Sequence, residues 1–112
     1  MPSLNKFIRM HTHSAPIETV FEEINPQTIY GTRPFLTAER LNGIRRKGSK
    51  EFPQLIETND THYCIDGHHK IRRAIENGAT SILCEVAHTR SSILEAALIK
   101  ICSDLISNLI VK

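Results

Sequence analysis

Asp66, Gly67, His68, His69 and Lys70 set a carboxylate, a glycine and three cationic or titratable side chains in consecutive positions. The chemistry this set fits is phosphate handling. Gly67 and the amides of His68 and His69 would cradle phosphate oxygens, and Lys70 would neutralise their charge. Asp66 would hold Mg²⁺ or accept a proton from an attacking hydroxyl. Phosphoryl transfer asks for little beyond positioning and charge neutralisation. The Walker pattern and the G-x-G-x-x-G fingerprint are both absent, so those phosphate-binding classes do not apply.

The elements that must position these residues are legible around them. Residues 63–65, an aromatic, a small apolar and a β-branched residue, follow the turn signal Asn59-Asp60-Thr61 and read as strand. Asp66 is a good helix N-cap, and Gly67 lets backbone approach a ligand without a Cβ in the way. Ile71, Ala74 and Ile75 recur at helical spacing, and Asn77-Gly78 is a stop, giving a helix over 67–77. His68, His69 and Lys70 then occupy the first turn, with His69 and Lys70 expected on an exposed helix end. Cations normally avoid that end, so an anion is the natural partner. Arg73 lies three residues after Lys70 and shares its face, whereas Arg72 points elsewhere. A simpler reading stands beside this one: Asp-Gly can serve capping alone, and a His pair can be solvated surface.

Asp66-Gly67-His68-His69-Lys70, between a strand and a helix–Gly–strand run, resembles the Asp-Gly-His-His-Arg signature of ParB/sulfiredoxin-like domains. Upstream, Ile24-Asn25-Pro26-Gln27 with Arg33 is similar to the Pro-Gln-Pro-Arg opening of that family, with Thr28 in place of Pro and Arg33 several residues further on. Residues 40–48 followed by Phe52-Pro53-Gln54-Leu55-Ile56 resemble its helix, Gly turn and Pro-initiated strand. The likeness covers about residues 17–88. In sulfiredoxin the turn reads Gly-Gly-Cys-His-Arg with the Cys as nucleophile. Here His68 takes that place and Cys64 falls four residues early, so sulfinic-acid reduction is not implied. In chromosome-partitioning ParB the turn reads Gly-Glu-Arg-Arg and holds the triphosphate of CTP; only Gly67 and the basic character match. The Asp-Gly-His-His-Arg branch includes nucleotide-dependent small-molecule kinases and proteins labelled as nucleases. The resemblance implies phosphate handling at this turn, with Arg33 and Arg40 reaching it from the loop and first helix.

Elsewhere the periods alternate. Residues 1–16 are polar without clear pattern and are expected to be partly ordered; His11-Thr12-His13 there is more often nothing than a metal site. Residues 17–24 alternate as a strand, and 25–34 form a loop. Thr37 caps a helix to about Lys47, ended by Gly48. Residues 53–57 and 62–65 form a hairpin, and 81–87 a strand. Ser92-Ile93-Leu94-Glu95 is a capping-box pattern opening a long C-terminal helix over 92–111, with Leu94, Leu98, Ile101, Leu105 and Leu109 in one stripe widened by Ile93, Ala97, Ile106 and Ile110. That stripe packs on the domain's own core or forms a homodimer seam, the former being the commoner outcome. Glu39 and Glu22-Glu23 are spare carboxylates best read as solvated, and Arg45-Arg46-Lys47 as a solvated helix end.

The 112 residues suit one core, here residues 17–112, and with 40% hydrophobic but 5% aromatic that core is aliphatic. Net charge is +2, from 14 Lys plus Arg against 12 Asp plus Glu, too mild for bulk DNA binding. Cys64, Cys84 and Cys102 lack C-x-x-C spacing, which suits reduced, buried thiols in the cytoplasm. Lys100, Ser103, Asp104 and Ser107 break the longest apolar stretches, and no membrane span or signal peptide appears. The expected fold is a small mixed α/β (α+β) domain of ParB/sulfiredoxin type. It would bind a nucleoside di- or triphosphate, with Mg²⁺-dependent hydrolysis or kinase-like transfer open. A DNA-associated module or weak nuclease, and a protein-interaction module, are the alternatives.

Overall fold

The computed structural model describes residues 4–12, 17–47 and 52–112, without the side chains of Thr12 and residues 44–47. Its elements in order are α1 (Leu4–Thr12), β1 (Thr19–Ile24), a 3-10 turn (Pro26–Thr28), β2 (Ile29–Tyr30), β3 (Phe35–Leu36), α2 (Ala38–Lys47), β4 (Gln54–Thr58) and β5 (Thr61–Asp66). There follow α3 (His68–Glu76), β6 (Ile82–His88), α4 (Ser92–Ile101), a second 3-10 turn (Ile106–Asn108) and β7 (Ile110–Val111). This is the mixed α/β domain that the alternating periods predict.

The main sheet runs β1-β6-β4-β5-β2. The β1/β6 and β4/β5 pairs are antiparallel, and β4/β6 and β2/β5 are parallel. The β4–β5 hairpin turns on Asn59 and Asp60, both left-handed at φ 52° and 63°, the primed geometry that Asn and Asp tolerate. The core is aliphatic on both sides of this sheet. Leu55, Cys64 and Val86 join Ile29, Leu36, Ile71, Cys84, Ile106 and Leu109. Their immediate neighbours Ile56, Tyr63 and Ala87 join Leu4, Ile8, Leu94 and Leu98 in a second cluster. Because successive side chains leave a strand on opposite faces, these adjacent pairs require helices on both sides. α3 covers one face, and α1 with α4 the other.

Two expectations fail here. Residues 4–12, read as patternless, form α1: Leu4, Phe7 and Ile8 stand at i, i+3, i+4, and Leu4 and Ile8 are buried. His11 lies against the Phe7 ring at 4.5 Å, while His13 is outside the described residues, as is Gly48. The long helix over 92–111 does not form either. α4 has ten residues and ends at Cys102, whose backbone is extended. Its cap is Ser91, whose Oγ accepts from the Leu94 amide at 3.2 Å, one residue before the expected box. The apolar period does continue past Ile101, but through the second 3-10 turn and β7. Leu94 and Leu98 lie in one cluster and Leu109 with Ile106 in the other, so this part of the stripe packs on the chain's own core, while Ile93, Ile101 and Ile110 remain exposed. β7 pairs in parallel with β3, Phe35 opposite Ile110. No helix among the described residues is long and apolar enough to cross a membrane.

Candidate functional site

β5 ends at Asp66 and α3 begins at His68, so the strand–turn–helix arrangement is present. The N-cap is Gly67, however, not Asp66, and no side chain caps the helix. Gly67 takes φ 100°, a left-handed value that other residues adopt at a cost. A Cβ there would stand 2.9 Å from Pro53 Cα. Packing against Pro53, at the start of β4, therefore accounts for the glycine without any ligand.

The histidines depart most from expectation. His68 and His69 are 6% and 4% exposed, not on an open helix end. His68 Nε2 accepts the Thr32 amide at 2.9 Å, and His69 Nε2 accepts the Thr37 amide at 3.1 Å. A ring nitrogen that accepts from a backbone N–H carries no proton, so both imidazoles are neutral with hydrogen on Nδ1. Burial, reinforced by the positive charges of Arg33 and Arg40, pushes His68 down to about 3 and His69 down to about 4. Two of the three side chains expected to be cationic therefore carry no charge near neutral pH, and the helix end needs no anion to tolerate them.

Their work is to hold the loop between β2 and α2. Thr32 Oγ1 also donates to the Cys64 carbonyl at 2.7 Å, tying the loop to β5. Gly31 sits directly on the His68 ring: a Cβ there would meet His68 Cδ2 at 3.3 Å and Leu109 Cδ1 at 2.9 Å. Thr37 precedes α2 and its carbonyl accepts the Leu41 amide, but its hydroxyl is buried with no hydrogen bond among the described residues. The first turns of α2 and α3 thus meet through the His69 ring with neither capped by a side chain. Arg33 on the loop and Arg40 in the first turn of α2 lie near enough for their charge to act on both imidazoles. Neither has a carboxylate partner among the described residues. Lys70 follows in the same helical turn, half-buried.

Arg73 is engaged elsewhere: Nη2 donates to the Leu41 carbonyl at 3.0 Å and Nη1 meets Glu76 at 3.0 Å. Arg72 does point away, as its phase predicts, donating Nη1 to the Ile106 and Leu109 carbonyls at 2.9 and 2.7 Å. Cys64 is fully buried, and desolvation raises its thiol well above the ordinary range. Cys84 is pushed up to about 12 by the same cause. Neither has thiolate character. Among the described residues no three His, Cys, Asp or Glu side chains cluster as metal ligands.

One polar group was not legible in the sequence. His88, at the end of β6, meets Glu57 Oε1 through Nδ1 and Glu22 Oε1 through Nε2, both at 2.6 Å. The two carboxylates hold this imidazole above its ordinary value. Glu22 is therefore not simply solvated, and Glu23 accepts from Ser81 Oγ at 2.8 Å. The signal was positional: Glu57 and His88 end parallel strands in register, though only the fold makes them neighbours.

No family model and no curated protein matches the chain. Solved structures do. The chain is similar to the crystal structure of protein Atu1540 from Agrobacterium tumefaciens, with TM-score 0.53 and 16% identity over 65% of this chain and 40% of that one. It is also similar to sulfiredoxin from Arabidopsis thaliana, with TM-score 0.50 and 21% identity over 70% of this chain and 97% of that one. Identities this low speak to architecture alone. Five strands in a mixed sheet between helices, with the uncapped α3 turn directly after β5, form a sulfiredoxin-like fold.

Proposed function

We propose that this domain binds the phosphates of a nucleoside di- or triphosphate at the start of α3. The observation that carries the reading is the field at that point. Arg33 and Arg40 bear on two buried, neutral imidazoles beside an uncapped helix N-terminus, and no carboxylate among the described residues answers them. Phosphate oxygens would take the amides of Gly67, His68 and His69, with Arg33, Arg40 and Lys70 supplying charge-assisted bonds. Asp66 would help to hold Mg²⁺, which would neutralise phosphate charge, and this leaves hydrolysis or phosphoryl transfer as the reaction class. Arg73 would act indirectly, by holding α2 and hence Arg40.

The test is a thermal-shift and calorimetric screen of nucleotides with and without Mg²⁺. A ligand at 100-fold its dissociation constant stabilises by about 2.7 kcal/mol, readily seen as a raised Tm. Arg33→Ala and Arg40→Ala should each weaken binding about tenfold or more, the loss of one charge-assisted bond. Asp66→Asn should spare binding and remove any Mg²⁺-dependent turnover. Binding should survive a move from about 50 to about 200 mM salt, whereas duplex DNA, met by a net charge of only +2, should lose orders of magnitude. Salt-resistant, sub-micromolar duplex binding with no nucleotide response would replace this reading with the DNA-associated one.

A further inference from the structure

The two edges of the main sheet are treated differently. The β2 edge is closed by the chain itself. Tyr30 bridges Leu105, the Gly31 amide donates to the Asp104 carbonyl at 2.7 Å, and the Ser103 amide donates to the Gly31 carbonyl at 2.9 Å. The β1 edge pairs only inward, with β6 from Thr19 opposite Ala87 to Ile24 opposite Ile82, and no described residue pairs with its outer side. An open edge is a row of unpaired amides and carbonyls, which natural sheets usually blunt with charge. β1 carries such charge in Glu22 and Glu23, with Glu18 just before it.

Charge alone does not describe this edge. Val20 is 48% and Phe21 56% exposed, although an edge needing only protection would not present apolar side chains on both faces. Phe21 meets the ring of Phe52, also exposed, edge-on at 5.1 Å. Leu83 of β6 extends the same face, because it pairs with Glu23 and so points with Phe21. On the opposite face Glu18, Val20, Glu22 and Ile24 alternate acid with aliphatic.

We propose that the outer edge of β1 is a docking strand for an extended segment of another polypeptide that carries basic and aliphatic residues in turn at every second position. Added as a sixth strand, such a segment would set cations opposite Glu18 and Glu22, the latter shared with His88, and aliphatic side chains opposite Val20 and Ile24. It would also cover Phe21. The backbone ladder would supply affinity and the alternation specificity. A second copy of this chain fits poorly. Pairing β1 with itself gathers Glu18, Glu22 and Glu23 of both copies on one seam, and like charges across a strand pair are destabilising.

The experiment is amide hydrogen exchange over residues 19–24 with a short synthetic peptide of repeated Lys-Thr-Val-Thr, which sets lysine and valine in turn along one face, beside its Glu-Thr-Val-Thr counterpart. The lysine peptide should slow exchange of the outward amides about tenfold or more, and the glutamate peptide should leave it unchanged. Phe21→Lys should remove the slowing without altering the Tm. Val20→Lys serves the same purpose should Phe21→Lys disturb the fold. No slowing, or equal slowing by both peptides, overturns the proposal. So does sedimentation as a dimer that Phe21→Lys disperses, since that gives the edge to a second copy.

Discussion

Lowering the pH from about 7 to about 5 should destabilise the fold through His68 and His69. In the folded chain both stay neutral over that range, because they are held at about 3 and about 4. In the unfolded chain each titrates near 6.5. Unfolding below that value therefore takes up protons, and stability falls with pH. The contribution of each imidazole is fully present above 6.5 and is lost progressively down to its folded value. At about pH 5 the unfolded chain gains about 2 kcal/mol per imidazole relative to about pH 7, or about 4 kcal/mol for the pair. That is a large share of a small domain's total stability. His88 opposes the trend. Its value is raised, so its stabilisation is present at low pH and lost as pH rises, but the exposure of its side chain limits it to about 1 kcal/mol. Urea unfolding at the two pH values, at constant ionic strength, measures the net change. In His69→Gln the side-chain carbonyl can still accept the Thr37 amide but does not titrate, so this variant should lose about 2 kcal/mol of the pH dependence. A pH response identical to that of the wild type would refute the assignment of His69 as a buried neutral acceptor.

Gly67→Ala should cost about 3 kcal/mol, from a side chain at φ 100° and a contact of 2.9 Å with the Pro53 backbone, read as a lowered urea midpoint; a loss below about 1 kcal/mol would mean that β4 shifts easily. Arg72→Ala removes charged donors from the Ile106 and Leu109 carbonyls and should cost about 3 kcal/mol, with faster amide exchange over 106–111. Arg72→Lys should recover less than half of that loss, because a single ammonium cannot reproduce the guanidinium geometry. Thiol labelling at neutral pH should modify half-buried Cys102 first, and Cys64 and Cys84 only as fast as the protein opens. Rapid, selective modification of Cys64 would restore thiol chemistry to consideration.

What the sequence disclosed was local. The Asn59-Asp60 turn, the strand before Asp66 and the helical phase of Ile71 and Ile75 all lie within a few residues of the features they fix. The roles of His68 and His69 depend on Thr32 and Thr37, more than thirty positions away in the chain. A histidine motif cannot announce whether its rings accept or donate until the loop that meets them is in place. The overlong C-terminal helix came from the same cause in reverse. Leu105 and Leu109 keep a helical phase with Leu94 and Leu98, yet Leu105 bridges Tyr30 and Ile110 pairs with Phe35, contacts available only after the sheet forms. α1 was overlooked because its signal is three apolar residues, and its burial depends on a groove supplied by α4 and the sheet.

The choice of histidine at these two positions has a physical reason. The amides of Thr32 and Thr37 need acceptors in a buried place, and an unpaired buried amide costs about 1–3 kcal/mol. A carboxylate would satisfy them, but it would also sit close to Arg33 and Arg40 and pair with one or both, cancelling the positive field at the start of α3. A carboxamide would accept as well, but it presents no flat ring for Gly31 to pack against. Neutral imidazole accepts the amide, fills the space beneath the loop and adds no negative charge. The positive charges of Arg33 and Arg40 that bear on both imidazoles thus stay uncancelled by the groups that hold the loop, beside a helix start with no side-chain cap.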